Sequence, residues 1–181
     1  MELFNKFKNQ HGSPEVKAQL FNKIIKVIHL SKSDTLLDIG SGDGYYSSRF
    51  AELCGKVIAI DKYADVLKNH FYENPVIEVI CEDACNWITR NNIEKVTQVF
   101  FSNSFHDMPC QEAMLKSFSN KLANGAYLHF IEFKLETSFG PPKNIRFSRE
   151  DLKAKVEFHG FVETAYIDLD THYFISFKLK K

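Results

Sequence analysis

The chain has 181 residues, with 23 Lys and Arg balanced by 23 Asp and Glu. Residues 1–90 carry 11 basic and 12 acidic side chains and residues 91–181 carry 12 and 11, so no charged half is hidden by the total, which argues against a nucleic-acid coat. A 44% hydrophobic content fills one core, no apolar run reaches the roughly 18 residues of a bilayer span, and the start lacks a secretion pattern; the expectation is a single soluble, cytoplasmic domain over 1–181.

Ser13, Pro14 and the apolar series Val16, Leu20, Ile24 and Ile28 predict an amphipathic helix entering the domain. Short apolar runs at Thr35–Ile39, Lys56–Ile60, Val76–Cys81 and Val96–Ser102 predict strands. Between them lie helical stretches from Gly44 to Gly55, from Tyr63 to Phe71 and around Cys85–Asn91. After Pro109, the positions Met114, Leu115, Phe118 and Leu122 predict a further helix that Asn124-Gly125 ends before a strand at Ala126–Phe133. Ser148 and Asp151 have capping-box spacing for a helix running to His159-Gly160. Phe161–Leu169 and Thr171–Leu179 then read as an antiparallel hairpin. Repeated strand–helix units require parallel strands with helices on both faces. The four cysteines read as buried or free thiols, and Cys81 with Cys85 lacks the second Cys/His pair that zinc needs; no metal is expected.

The most informative segment is Asp38-Ile39-Gly40-Ser41-Gly42-Asp43-Gly44, a glycine-rich turn between a strand and a helix. Glycine there permits positive φ and close approach of a ligand to the backbone. Asp61 ends the next strand, 21 residues beyond Gly40, where a carboxylate can accept both ribose hydroxyls. A dinucleotide fingerprint would want a third glycine at Tyr45, and a pyrophosphate would be repelled by Asp38 and Asp43. A cationic nucleoside fits better.

On these residues the chain resembles the class I S-adenosylmethionine (SAM)-dependent methyltransferases, whose first motif is matched by Asp38, Gly40, Gly42 and Gly44. The resemblance runs from about Thr35 to Leu179. It implies a Rossmann-like α/β fold: a seven-stranded, mostly parallel sheet of order 3-2-1-4-5-7-6, the last strand antiparallel, with helices on both faces. It also implies SAM as cofactor, with ribose on Asp61 beside Lys62, adenine near Asp83 and Ala84, and the methionine end near Ser102 and Asn103. Asp38 would organise the turn and turn carbonyls would hold the ammonium. Ser102-Asn103-Ser104-Phe105-His106-Asp107 and a later Gly140-Pro141-Pro142 with Arg146 look most like the small-molecule, type 11 branch related to quinone-biosynthesis enzymes.

His106 and Asp107, after the fourth strand, are the base candidates, histidine being suited to proton transfer near neutral pH; the structural alternative makes Asp107 the cap of the following helix and gives His106 a backbone hydrogen bond. Tyr45, Tyr46 and Phe105 are candidates for contact with the sulfonium or acceptor. The first 30 residues and the connection Lys134–Phe147 are expected to cover the pocket, with Arg146 meeting Glu132 or an anionic group on the acceptor. The reading is methyl transfer to a small molecule, with no nucleic-acid partner and no membrane insertion. An NAD-type oxidoreductase and a non-catalytic SAM-fold binding protein are the alternatives.

Overall fold

The computed structural model describes residues 14–63 and 74–181. The expected helix at Tyr63–Phe71 therefore lies outside the described residues, as do Ser13 and His70. Helix α1 spans Pro14–Ile24, and β1, Thr35–Ile39, leads through the glycine turn into α2, Tyr45–Ala51. Strands β2 (Lys56–Asp61) and β3 (Ile77–Cys81) precede α3 (Ala84–Arg90) and β4 (Gln98–Ser102). A 3-10 turn at Phe105–Asp107 leads to α4 (Gln111–Lys121) and β5 (Tyr127–Phe133). Helix α5 (Arg149–Glu157) and the hairpin of β6 (Phe161–Asp168) and β7 (His172–Leu179) complete the chain.

The seven strands form one sheet in the order β3-β2-β1-β4-β5-β7-β6. The first five are parallel and β7 runs antiparallel to both neighbours. Alternate side chains feed two cores. Leu37, Ile39, Val99, Phe101, Leu128 and Phe130 pack with α3, α4 and α5, while Leu36, Phe100 and Ile131 pack with Phe21 and Ile24 of α1 and Phe50 of α2. Two covered faces explain why the central strands are apolar throughout and not alternating. No helix among the described residues is long and apolar enough to cross a membrane.

Most boundaries move by one or two residues from the sequence reading. Val96 still bonds back to Ile93, so the fourth strand begins at Gln98. Helix α1 ends at Ile24, with Val27 and Ile28 in turn bonds to its last carbonyl. Ser148 caps α5 by accepting from the Asp151 amide at 3.0 Å, and the exposed Lys181 donates its ammonium to the Leu122 carbonyl at the end of α4 at 2.7 Å.

The cysteine expectation is corrected. Cys85 and Cys110 form a disulfide, with Cα atoms 5.9 Å apart, that joins the start of α3 to the residue preceding α4; Cys54 is buried and Cys81 exposed. Parallel β3 and β4 launch both segments from the same sheet edge, a proximity that spacing along the chain does not reveal.

One polar group inside the sheet layer has a clear pH signature. Buried His129 lies between Gln98 Oε1 (Nε2, 2.8 Å) and Ser176 Oγ (Nδ1, 2.9 Å), and burial pushes it down to about 3 from the ordinary 6.5. The unfolded chain takes a proton that this folded site refuses, so stability present above pH 6.5 is lost as pH falls toward 3. Urea unfolding of wild type and His129→Gln between pH 7 and 4 should show the variant losing less stability over that interval than wild type.

Candidate functional site: the crevice at the carboxyl ends of β1, β2 and β4

The turn after β1 is built on three glycines, Gly40, Gly42 and Gly44, at φ 72°, 56° and 69°. At Gly40 the constraint is double. A Cβ there would lie 2.5 Å from Ser104 Cβ and 3.7 Å from Met108 Cε, because the chain leaving β4 packs directly on the turn. Ser104 holds that contact by donating its hydroxyl to the Ile39 carbonyl at 2.6 Å.

The turn's amides are largely consumed by the protein. Gly40 and Ser41 donate to the Ile60 carbonyl, Gly44 to the Ser41 carbonyl, Gly42 to Asp61 Oδ2 at 2.9 Å and Tyr45 to Asp43 Oδ1 at 3.2 Å. The carbonyls of Gly40 and Gly42 accept from no donor among the described residues. A phosphate site presents open N–H groups. This turn presents open oxygens.

Asp38 ends up buried, 1% exposed, with Ser47 of α2 donating to its Oδ2 at 2.5 Å. Burial, reinforced by the charges of Asp61 and Asp43 against the Ser47 bond, pushes its carboxyl up to about 7. The side chain thus ties the strand before the turn to the helix after it. Asp43 is exposed and meets Lys17 of α1 at 2.7 Å. Asp61 is half-buried; its Oδ1 accepts from the Tyr63 amide at 3.0 Å and its Oδ2 from Gly42. Each oxygen of an ionised carboxylate has two lone pairs, so acceptor capacity remains for hydroxyls. Lys62 is exposed, its ammonium 5.2 Å from the Tyr63 ring centre. Asp83 caps α3 by accepting from the Cys85 amide at 2.8 Å, with Ala84 buried beside it. Ser102 closes β4.

Asn103 follows at φ 53°, the one non-glycine residue with positive φ among those described. Its Nδ2 lies 3.2 Å from His172 Nε2, and its Oδ1 is buried without a partner. Strain and an orphaned acceptor at one position are features of ligand-facing sites. Ser41 Oγ, in the glycine turn after β1, is a second buried oxygen with no partner among the described residues. Open carbonyls, orphaned oxygens and three carboxylates form a donor set suited to an ammonium-bearing adenosine, and the residues present fit SAM. Gly40 and Gly42 carbonyls would receive its ammonium and Asp61 its ribose; when bound it supplies an electrophilic methyl group.

Several expected site residues sit elsewhere. Phe105 is fully buried, packed on Phe101 and Phe130 at ring-centre distances of 5.2 and 5.1 Å, so it is a core residue and not a pocket wall. Tyr46 is likewise core, while half-buried Tyr45 lies between Lys17 and Arg49, each 5.8 Å from its ring. Arg146 does not meet Glu132. Its guanidinium donates to four carbonyls, those of Pro141, Lys134, Thr137 and Phe139, and thereby folds its own connection into a compact loop. Asp107 does not cap α4, whose preceding residue is Cys110 with no side-chain cap bond. His106 makes neither a backbone bond nor a solvent contact through its ring. Its Nδ1 lies 2.5 Å from Glu132 Oε2, a pairing across 26 residues with no local sequence signal.

Two hollows flank the crevice. One, of about 400 Å³, is lined by Asp43, Tyr45, Ser48 and Arg49. The other, of about 340 Å³, lies at the carboxyl ends of β5 and β6 among Lys134, Phe147, Arg149, Tyr166, Asp168 and Tyr173.

A sequence model described as ribosomal RNA adenine dimethylase matches residues 5–123. The chain belongs to that family. Among curated relatives, an rRNA adenine N-6-methyltransferase of Limosilactobacillus reuteri is 35% identical over 65 residues, 34% of this chain and 27% of that protein. An uncharacterized methyltransferase of Schizosaccharomyces pombe is 42% identical over 50 residues, 28% of this chain and 19% of that one. The matches thus span roughly a quarter and a fifth of these relatives. A SAM-dependent methyltransferase structure from Aquifex aeolicus superposes with a TM-score of 0.73 at 20% identity, covering 93% of this chain and 99% of its own. The fold is that of class I SAM-dependent methyltransferases, and SAM is the expected cofactor.

Gly40→Ala should lose both stability and affinity for S-adenosylhomocysteine, since the new methyl strikes Ser104 in addition to the cost of positive φ. Gly125→Ala, where φ is 90° but the nearest atom is Lys178 Cε at 3.5 Å, should lose about 1 kcal/mol of stability and bind normally; urea unfolding and calorimetry separate the two. For Asp38 the sign is opposite to that of His129: its folded value is raised, so its contribution is present below pH 3.8 and lost as pH rises through about 7. Cofactor-free wild type should therefore lose stability relative to Asp38→Asn between pH 4 and 7.5 in urea titrations.

Proposed function

We propose that this chain transfers a methyl group from SAM to a small-molecule acceptor. The observation that carries the cofactor reading is the distribution of hydrogen bonds in the 40–44 turn, where the amides of Gly40, Ser41, Gly42 and Gly44 are tied internally and the Gly40 and Gly42 carbonyls accept from no donor among the described residues. NAD would place a pyrophosphate against those oxygens, which disfavours the oxidoreductase reading. Catalysis then consists chiefly of alignment: holding a nucleophile behind the sulfonium methyl group, which is worth about 7–11 kcal/mol in a well-ordered site.

Three features support a small acceptor. The 340 Å³ hollow beside β5 and β6 is of the size that encloses a compact organic molecule. Phe105, the first aromatic after the end of β4, is wholly buried and gives no stacking surface for a base flipped out of RNA. The net charge of zero gives no electrostatic footprint for a phosphate backbone. The second reading, methylation of adenine in ribosomal RNA, is favoured by the family match, which ends at residue 123, before the β5–β7 elements that line the hollow. Incubating the protein with methyl-tritiated SAM and either a low-molecular-weight cell extract or protein-free ribosomal RNA distinguishes them: label in the extract supports the first, label in RNA the second.

Asp61→Asn should weaken S-adenosylhomocysteine binding by about tenfold or more, the loss expected for a charged hydrogen-bond acceptor, and leave NAD without measurable binding, as in wild type. Calorimetric titration of both ligands into both proteins checks this.

A further inference from the structure

Three ionisable side chains form a chain at the carboxyl ends of β4 and β5. His106 and Glu132 have side chains only 1% exposed, with Nδ1 and Oε2 2.5 Å apart. On the other side of the ring, Nε2 lies 3.6 Å from Asp107 Oδ2, whose side chain is 67% exposed. Glu132 Oε1 is buried with no hydrogen-bond partner among the described residues. The segment carrying His106 also packs on the cofactor turn, with Ser104 and Met108 both against Gly40.

As a stabilising device this pair is poor. Apolar replacements of buried ion pairs are often neutral or stabilising, and an orphaned buried oxygen adds a cost the fold does not offset. As a proton acceptor the geometry is apt. With Nδ1–H donated to Glu132, the unprotonated ring nitrogen is Nε2, which faces the solvent-exposed Asp107 carboxylate at 3.6 Å. A carboxylate behind an imidazole fixes its tautomer and stabilises its cation. Burial opposes that charge, yet the Glu132 bond and the charges of Glu132 and Asp107 prevail over burial and over Arg146, so His106 is held above its ordinary value. The groups facing the pair are Asp107 from the same turn, Arg146 from the β5–α5 connection and Tyr173, opposite Glu132 on β7 and kept protonated by burial.

We propose that His106 Nε2 takes the proton of the methyl acceptor, that Glu132 is its positioning residue, and that the acceptor is a small molecule attacking through a hydroxyl oxygen of phenol or enol type. This rests on the methyl-transfer reading above. Asp107 rotates aside, the acceptor's O–H bond breaks, its proton forms the N–H bond at Nε2, and the electron pair stays on oxygen as the nucleophile. Glu132 keeps the Nδ1–H bond throughout and orients the ring. An aromatic amine or a thioether, whose lone pair is free at neutral pH, gains least from such a base, so the arrangement favours acceptors that must lose a proton, hydroxyls of phenol or enol type among them.

The test has two arms. In the first, long-range ¹H–¹⁵N spectra of histidine-labelled, cofactor-free protein should show His106 as the Nδ1–H tautomer with a midpoint above 6.5, falling in Glu132→Gln; an Nε2–H tautomer overturns the assignment. In the second, methyl-tritiated SAM is supplied with catechol, which must lose a proton, or with 2-nitro-5-thiobenzoate, already a thiolate at pH 7. Wild-type kcat on catechol should rise with pH through the midpoint seen by NMR. In His106→Asn, kcat should fall about 10²–10⁴-fold further on catechol than on the thiolate, the range for a positioned base. Equal losses on both acceptors mean a structural role and overturn the proposal, and absence of wild-type transfer to catechol overturns the acceptor class. Failure of wild type to bind S-adenosylhomocysteine would instead reject the methyl-transfer reading beneath it.

Discussion

The structure depends on how a short run of backbone between β1 and α2 distributes its hydrogen bonds. Gly40 and Ser41 donate sideways into β2, Gly42 into Asp61, and Gly44 back into the turn. Those bonds go with glycines at positive φ at the alternate positions 40, 42 and 44 and place the turn so close to the β4 exit that a Cβ at Gly40 would strike Ser104. Three strands are thereby brought into register at one point. The Gly40 and Gly42 carbonyls, which accept from no donor among the described residues, are the atoms left available to a cation.

Around that point the buried polar residues do complementary jobs. Asp38 joins β1 to α2 through Ser47, and the Ser104 hydroxyl joins the β4 exit to β1. Arg146 spends its donors on four carbonyls of its own loop, while Lys134 at the start of that loop pairs with Asp168 of β6 at 2.5 Å. The Cys85–Cys110 disulfide joins the segments leaving β3 and β4. Most of these contacts fix backbone close to the crevice. Preorganisation of this kind is what a reaction dominated by alignment requires.

The alternation of apolar runs and amphipathic stretches made the parallel α/β architecture and the hairpin legible, because two-sided burial writes itself as continuous apolar strands, whereas the strand order came from the resemblance. The glycines and Asp61 could be read because both respond to local backbone demands at the ends of consecutive strands. Partners set by tertiary packing could not. Glu132 and His106 are 26 residues apart and meet only because β4 and β5 are adjacent and parallel. Phe105 beside a polar motif looked like a pocket wall, yet the 3-10 turn at 105–107 rotates it into the core. Arg146 looked like an ion-pair partner, whereas the curvature of its own loop supplies it with carbonyls first.

The account's central claim is that residues 40–44 receive a cation through carbonyls and not a phosphate through amides. It is tested most directly by amide chemical-shift mapping of ¹⁵N-labelled protein titrated separately with SAM and with inorganic pyrophosphate. The account predicts saturable shifts with SAM at Ser41 and Asp43, whose amides share peptide units with the Gly40 and Gly42 carbonyls, and none with pyrophosphate. Saturation by pyrophosphate at these residues, with SAM leaving them unmoved, would contradict it.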